Sequence, residues 1–298
     1  MMQRAPRRVG WGWALYGLFC AAACAKETAP KPTTAQQESA AAVAQASSVI
    51  SADTAARTLV FAAGTKPYHV DDVEGAHGTI NGSVVLSGPL PLDTIVTPER
   101  DSTGCRPFLD ITLPIPRRAP GAKKDSSANP IGNAVIWLVG VTHGPADVLP
   151  RRVNLLLDDC HLTPRVMVAI AGATLNTTNR DDMVSKLHFV DHLRDAAPRV
   201  TIGFTDPGQV VPSALPLARA GLVQITDEKH SWVRGYIAVA PHPFVAVTEA
   251  DGEFVFEGVP VGSYQLVVWH ERLGARVVPV KIEGGFTATV GVKYQARE

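Results

Sequence analysis

The chain has little with which to attract a nucleic acid or an anionic membrane surface. Its 28 Lys and Arg are balanced by 28 Asp and Glu over 298 residues, which leaves no net field. Basic residues cluster only locally, at Arg4 to Arg8, Arg117-Arg118 and Lys123-Lys124, and solvated loops account for such pairs. The motifs of the common catalytic classes are missing as well. "GTINGS" (78–83) has no Gly-Lys-Ser/Thr ending and no helix pattern behind it, so it is not a phosphate loop. No G-x-S-x-G elbow marks a serine hydrolase. The acids Asp71-Asp72, Asp158-Asp159 and Asp181-Asp182 stand side by side. In an extended chain their carboxylates diverge, and the alternate spacing of a calcium loop is absent. The expectation is a protein that is not an enzyme and has no nucleic-acid partner.

What is present begins at the N-terminus. Arg4, Arg7 and Arg8 precede "VGWGWALYGLFCAAAC" (9–24), a short apolar run ending in small residues. That is the n-region, h-region and small-residue order of a secretory signal, too short for a comfortable transmembrane span. The run ends on Cys24 after Ala21, Ala22 and Ala23, and this resembles the lipobox of bacterial lipoproteins. The resemblance implies a signal peptide over 1–23 and lipidation of Cys24, with a lipid-anchored membrane as partner. Ala25-Lys26 lack the Asp that holds similar lipoproteins in the inner membrane, which points to an outer-membrane lipoprotein facing the periplasm or the cell surface. The alternative is a plain secreted protein cut nearby.

Export places the remaining cysteines in an oxidising compartment. With Cys20 in the signal and Cys24 taken by lipid, Cys105 and Cys160 are left, and a disulfide between them is the first reading. Two free thiols or a two-Cys metal site are the alternatives, although neither has the partners of a zinc finger.

Residues 24–66 are rich in Ala, Ser, Thr, Gln and Pro and read as a flexible tether. Its Ala-rich middle could form a helix but lacks a clear apolar stripe. From about 77 onward short apolar alternations are separated by Gly, Pro and Asp, as in "AVIWLVGV" (134–141), "RVNLLLDD" (152–159), "RVMVAIAG" (165–172) and "RVTIGF" (199–204). In "GTINGSVVLSGPLP" Ile80, Val84 and Leu86 share one face of a strand. The fold class is therefore all-β, an antiparallel sandwich or barrel. "PIPRRAPGAKKDSSANPIG" (114–132) is a long polar loop of the kind that is functional or mobile. The last sixty residues are more regular. In "HPFVAVTEADGEFVFEGVPVGSYQLVVWHE" (242–271) the Asp251-Gly252 pair suits a tight hairpin turn, since Gly accepts the positive φ.

This C-terminal unit, 242–298, resembles the carboxypeptidase regulatory-like domain, a small transthyretin/prealbumin-like β-sandwich in a carbohydrate-binding-like fold class. The matching residues are the turn Asp251-Gly252, the following Phe254, and Val259-Pro260 with Gly262 and Tyr264. The segment 77–241 resembles the cupredoxin-like Greek-key β-sandwich of exported bacterial proteins that carry the same C-terminal unit. "NAVIWLVGV", "DDCHLTPRVMVAIAGATLNTTNRDD" and "KHSWVRGYIAVAPHPFVAVTEADGEF" carry that resemblance.

Metal-binding members of the group have a ligand His that corresponds to His188. They also have a later Cys-x-x-His-Pro-Trp-Met supplying a thiolate, a second His and an axial Met. Here the motif is degenerate: Asp227 stands at the Cys position, His230 at the His, Ser231 at the Pro and Val233 at the Met. A blue-copper centre needs the thiolate, so that chemistry is not expected and no cofactor is implied. Two imidazoles and a carboxylate still form a ligand set for copper or zinc, so His188, His230 and Asp227, with His192 nearby, remain candidates for a metal site. The competing reading makes them ordinary polar residues of a loop and a strand end. In "WHE" (269–271) His270 and Glu271 face opposite sides of a strand and read as structural. Trp137, Trp232 and Trp269 read as core rather than sugar platforms.

The sequence thus leads to a non-enzymatic cell-envelope lipoprotein that acts as a binding or structural module. The alternatives are a copper- or zinc-binding protein and a binder of carbohydrate or cell wall. An envelope protein or a glycan would be the partner.

Overall fold

A computed structural model of the chain describes residues 47–60, 68–70, 76–88, 95–98, 105–109, 128–146, 149–192 and 198–296. The signal region 1–23, Cys24, the tether parts 24–46 and 61–66, and the loop stretch 114–127 lie outside the described residues.

The described chain is almost entirely β, arranged as four main sheets stacked face to face with three apolar layers between them, beside two small two-stranded pairings. The first sheet joins Glu253–Pro260, His77–Ser87 and Thr287–Gln295, with Ala128–Pro130 paired to the end of the long His77–Ser87 strand. The second runs Ser48–Ile50, Gly274–Ile282, Gly262–His270, Val135–Val139, Val245–Val247, all antiparallel. The third runs Val166–Ile170, Arg234–Ala240, Gly221–Asp227, Ser185–Asp191, Pro198–Phe204. The fourth runs His161–Thr163, Arg152–Asp158, Thr174–Asn179, Val210–Ser213. Three pairings within these sheets are parallel: Thr287–Gln295 on His77–Ser87, Val166–Ile170 on Arg234–Ala240, and Thr174–Asn179 on Arg152–Asp158.

Side-chain alternation explains the stacking. In the second sheet Ile136, Leu138, Leu266 and Val268 face the first sheet, where they meet Ile80, Val84, Leu86 and Tyr294. Their neighbours Val135, Trp137, Val267 and Trp269 face the third sheet and meet Val166, Leu222, Tyr236 and Ala238. In the third sheet Ile237 and Val239 turn the other way, toward Leu155, Leu157 and Leu175 of the fourth. The two inner sheets are covered on both faces, so their strands read as unbroken apolar runs such as "VIWLV" and "GYIAVA" rather than as clean alternations. As expected, Ile80, Val84 and Leu86 all point into the core, and Trp137 and Trp269 are core residues.

The division of the chain differs from the one read at 241/242. The sandwich of the third and fourth sheets is built from a continuous stretch within 152–240. The other sandwich takes His77–Ser87, Ala128–Pro130 and Val135–Val139 from before that stretch and everything from Val245 after it. The C-terminal strands cannot close a core alone, because Glu253–Pro260 and Thr287–Gln295 both depend on His77–Ser87 for their ladder bonds. Gly82 is part of that dependence: a Cβ there would run into the ring of Phe254, so only glycine lets the ring lie across the strand. Gly252 takes the expected positive φ of 74°. The turn, however, connects strands of two different sheets, Val245–Val247 and Glu253–Pro260, and is not a paired hairpin.

The tether reading also needs correction over 48–60. Ser48–Ile50 extends the second sheet by pairing with Gly274–Ile282. The helix Ala52–Val60 that follows is capped by Ser51, whose Oγ accepts the Thr54 N–H at 3.1 Å. Ala55 and Ala56 are fully buried between the second and third sheets, and Trp137 donates its indole N–H to Thr58 Oγ1 at 3.1 Å. Ala55 and Ala56 thus form the buried face of this helix.

Candidate functional site

The disulfide between Cys105 and Cys160 forms, with Cα atoms 5.7 Å apart. Cys160 sits in the tight turn between the antiparallel strands Arg152–Asp158 and His161–Thr163, where Asp159 and Cys160 both have positive φ, 50° and 66°. Such a turn is expensive for residues with a side chain. Asp181 helps hold it by accepting the Cys160 N–H at 2.9 Å. Burial raises the Asp181 carboxyl above its ordinary value despite that bond.

The turn 227–233, which holds the candidate residues Asp227 and His230, joins two neighbouring strands of the third sheet, Gly221–Asp227 and Arg234–Ala240. Asp227 pairs in register with Leu187 and so points into the sandwich, its side chain 1% exposed. Its Oδ2 accepts the Ser185 hydroxyl at 2.5 Å and the Lys186 N–H at 2.8 Å. Its Oδ1 accepts the N–H groups of Lys229 and His230, each at 2.9 Å. Burial alone would raise this carboxyl. The donors outweigh it and hold the group below its ordinary value, so it is an anion. His230 is buried with its Nδ1 2.7 Å from Asp227 Oδ1, off the line of a hydrogen bond, and its ring lies tilted against Trp232 at 5.3 Å. Val233 is wholly buried in the apolar core.

His188 and His192 lie elsewhere. His188 pairs in register with Thr226, one residue out of phase with Asp227, so its side chain leaves by the opposite face of the sheet. There its Nδ1 meets Thr201 Oγ1 at 2.8 Å and its Nε2 is 3.7 Å from Glu228. His192 packs edge-on to Tyr236 and Trp269 between the second and third sheets. Burial lowers its basicity, offset in part by Gln224 and by the charge of Asp53. The expected quartet is therefore split: Asp227 and His230 meet, while His188 and His192 go to the other face. Among the described residues no group of three or more His, Cys, Asp or Glu is placed to hold a metal ion.

The turn's chemistry is that of a fold clamp. Four donors converge on this one carboxylate and fix it in the turn. Two other polar clusters escape a reading of the sequence. Arg165 and Glu271 form a bidentate pair at 2.6 and 2.8 Å, with side chains 10% and 5% exposed, which ties the two sandwiches together. Arg199 donates to Asp191 and to the carbonyls of Pro216, Arg219 and Ala220. These partners are distant in sequence, so no local spacing announces them. The expectation of Glu271 opposite His270 on one strand does not hold: the strand ends at His270 and Glu271 lies in the turn after it.

No family model matches the chain, and no curated protein does. Solved structures similar to part of it are cupredoxins. A mutant of amicyanin in its reduced Cu(I) form is 19% identical over 32% of this chain and 84% of that chain, with a TM-score of 0.24. A Cu-containing nitrite reductase from Thermus scotoductus SA-01 is 18% identical over 32% of this chain and 22% of its own, at 0.26. A purple cupredoxin from Nitrosopumilus maritimus is 13% identical over 30% of this chain and 99% of its own, at 0.24. The sandwich described above rests on its own strand order and register, not on these scores.

Proposed function

We propose that this protein is a non-catalytic component of the bacterial cell envelope, exported and lipid-anchored through Cys24. It presents its stacked sandwiches as a binding or structural module to an envelope protein or glycan. The non-catalytic part of the reading rests on the turn 227–233. Asp227 stands where a copper thiolate is expected, and its carboxylate clamps Ser185, Lys186, Lys229 and His230. The cupredoxin-like sandwich serves here as a scaffold whose metal loop has become a structural turn. The envelope part is supported by the Cys105–Cys160 disulfide, a bond that persists in oxidising compartments.

The test is fractionation of cells making the wild-type chain and Cys24→Ala, with labelled palmitate in the medium. The reading expects label and outer-membrane sedimentation in the wild type. It expects an unlabelled, soluble periplasmic product in the variant. Cytoplasmic wild-type protein, or a distribution that Cys24→Ala does not change, would overturn it.

A further inference from the structure

His69 and His143 are separated by most of a domain in sequence but are brought side by side by a small parallel pairing. His69–Val70 lies along His143–Gly144 with His69 opposite His143 and Val70 opposite Gly144. Residues opposite each other in a parallel pair project from the same face, and adjacent strands run about 4.8 Å apart. Both histidines are exposed, so the pairing places two imidazole-bearing residues at one register position on the surface.

The pairing is held from beneath. The His69 N–H donates to the Thr142 carbonyl at 3.0 Å. Tyr68, the residue before, packs against the core between the first and second sheets and donates its hydroxyl to the Pro145 carbonyl at 2.8 Å. Gly144 makes this possible, because a Cβ there would lie 2.7 Å from the Tyr68 hydroxyl. His143 Nδ1 rests 3.3 Å from Thr142 Oγ1, which orients the ring and leaves Nε2 for another partner.

We propose that His69 and His143 form a two-imidazole surface chelate for a divalent transition-metal ion, with Cu2+ preferred over Ni2+ and Zn2+. Imidazole suits these ions, and a given nitrogen site follows the Irving–Williams order with Cu2+ at its top. Metal–imidazole bonds of about 2.0–2.1 Å bring the two ligand nitrogens roughly 3 Å apart, a span that side chains on adjacent strands cover by rotation about χ1 and χ2. Because the backbone is fixed, the second imidazole binds as an intramolecular ligand at high effective concentration. Two ligands leave coordination positions open, so the ion exchanges with solution instead of being locked in as a structural metal. This chelate lies on the opposite sandwich from the turn 227–233 and does not depend on the envelope reading.

The experiment is titration calorimetry of the tag-free full-length chain with CuCl2 and NiCl2, with electron paramagnetic resonance of the Cu2+ complex. His69→Gln and His143→Gln are compared with wild type, and circular dichroism confirms that these exposed substitutions leave the fold intact. The expected result is one Cu2+ per chain with two-imidazole nitrogen coupling. Affinity should fall by at least about tenfold in each variant, with coupling reduced to one imidazole and a weaker parallel trend for Ni2+. A control variant, His188→Ala/His230→Ala, retains the site. Absence of stoichiometric Cu2+, wild-type affinity in either Gln variant, or loss in only one of them would overturn the chelate.

Discussion

Replacing Asp227 by alanine removes the acceptor of four hydrogen bonds at once: Ser185 Oγ–H and the N–H groups of Lys186, Lys229 and His230. Hydrogen bonds to a charged group contribute roughly 1.5 kcal/mol or more each, and a simple sum is about 6 kcal/mol. The four share one carboxylate, and their loss is not additive. Water cannot fully replace the carboxylate either, because its side chain is 1% exposed. We expect Asp227→Ala to lose about 3–5 kcal/mol, as when one member of a buried polar pair is removed. That is a large share of a stability of roughly 5–15 kcal/mol. Asp227→Asn, which keeps one acceptor oxygen, should fall between. The pH dependence has a definite sign. The folded carboxyl lies below its ordinary value, so its contribution is full above the unfolded value and is lost as pH falls through the folded one. Urea unfolding of the three proteins at neutral pH and near pH 3, followed by Trp fluorescence, reads both effects. A loss below about 1 kcal/mol for the alanine variant at neutral pH, or a gap that widens in acid, would refute the clamp.

Other consequences follow from the same packing. His242 is buried, its Nε2 3.1 Å from the Leu138 carbonyl and its Nδ1 accepting the Phe244 N–H, and burial lowers its pKa to about 4. The unfolded chain takes up a proton near the ordinary 6.5 while the fold does not until about 4. Stability is therefore complete above pH 6.5 and falls between those values by up to about 3 kcal/mol. Thermal unfolding across that pH range should show the slope, and His242→Gln should flatten it. Alanine at Arg165 or Glu271 leaves a buried charge alone and should cost about 3–5 kcal/mol, whereas Arg165→Met/Glu271→Leu should be far milder. A urea double-mutant cycle separates the two cases. Ala55→Asp sets a carboxylate in the dry layer beneath the helix and should lower stability by more than about 3 kcal/mol. An unchanged melting temperature would return that helix to the tether.

The parts of this fold that are legible in the sequence are those written at short range. Alternation marks the strands, and Asp251-Gly252 marks the turn. Cys105 and Cys160, the two cysteines outside the N-terminal apolar run, point to the disulfide. The parts that are not legible depend on distant partners. Nothing near His77–Ser87 says that it will pair with Glu253–Pro260 and Thr287–Gln295, so a boundary placed at 241/242 cuts through a shared sheet. Ala55 and Ala56 carry too little hydrophobicity to register as a stripe, although they are fully buried. The metal quartet fails for a reason of phase. His188 and Asp227 belong to adjacent strands, but their register differs by one residue, and one residue in a strand is a change of face. The sequence shows that the turn 227–233 has no cysteine, but spacing alone does not reveal the structural use of Asp227.

The turn 227–233 acts either as a clamp or as a metal centre, and the two differ in what they hold. The most direct measurement is elemental analysis of the tag-free protein after dialysis against copper and zinc in turn, beside His188→Ala/His230→Ala. The clamp predicts the same metal content in both proteins, with any bound copper lost only when His69 or His143 is replaced. One equivalent of metal held by the wild type and absent from the His188/His230 double variant would contradict it.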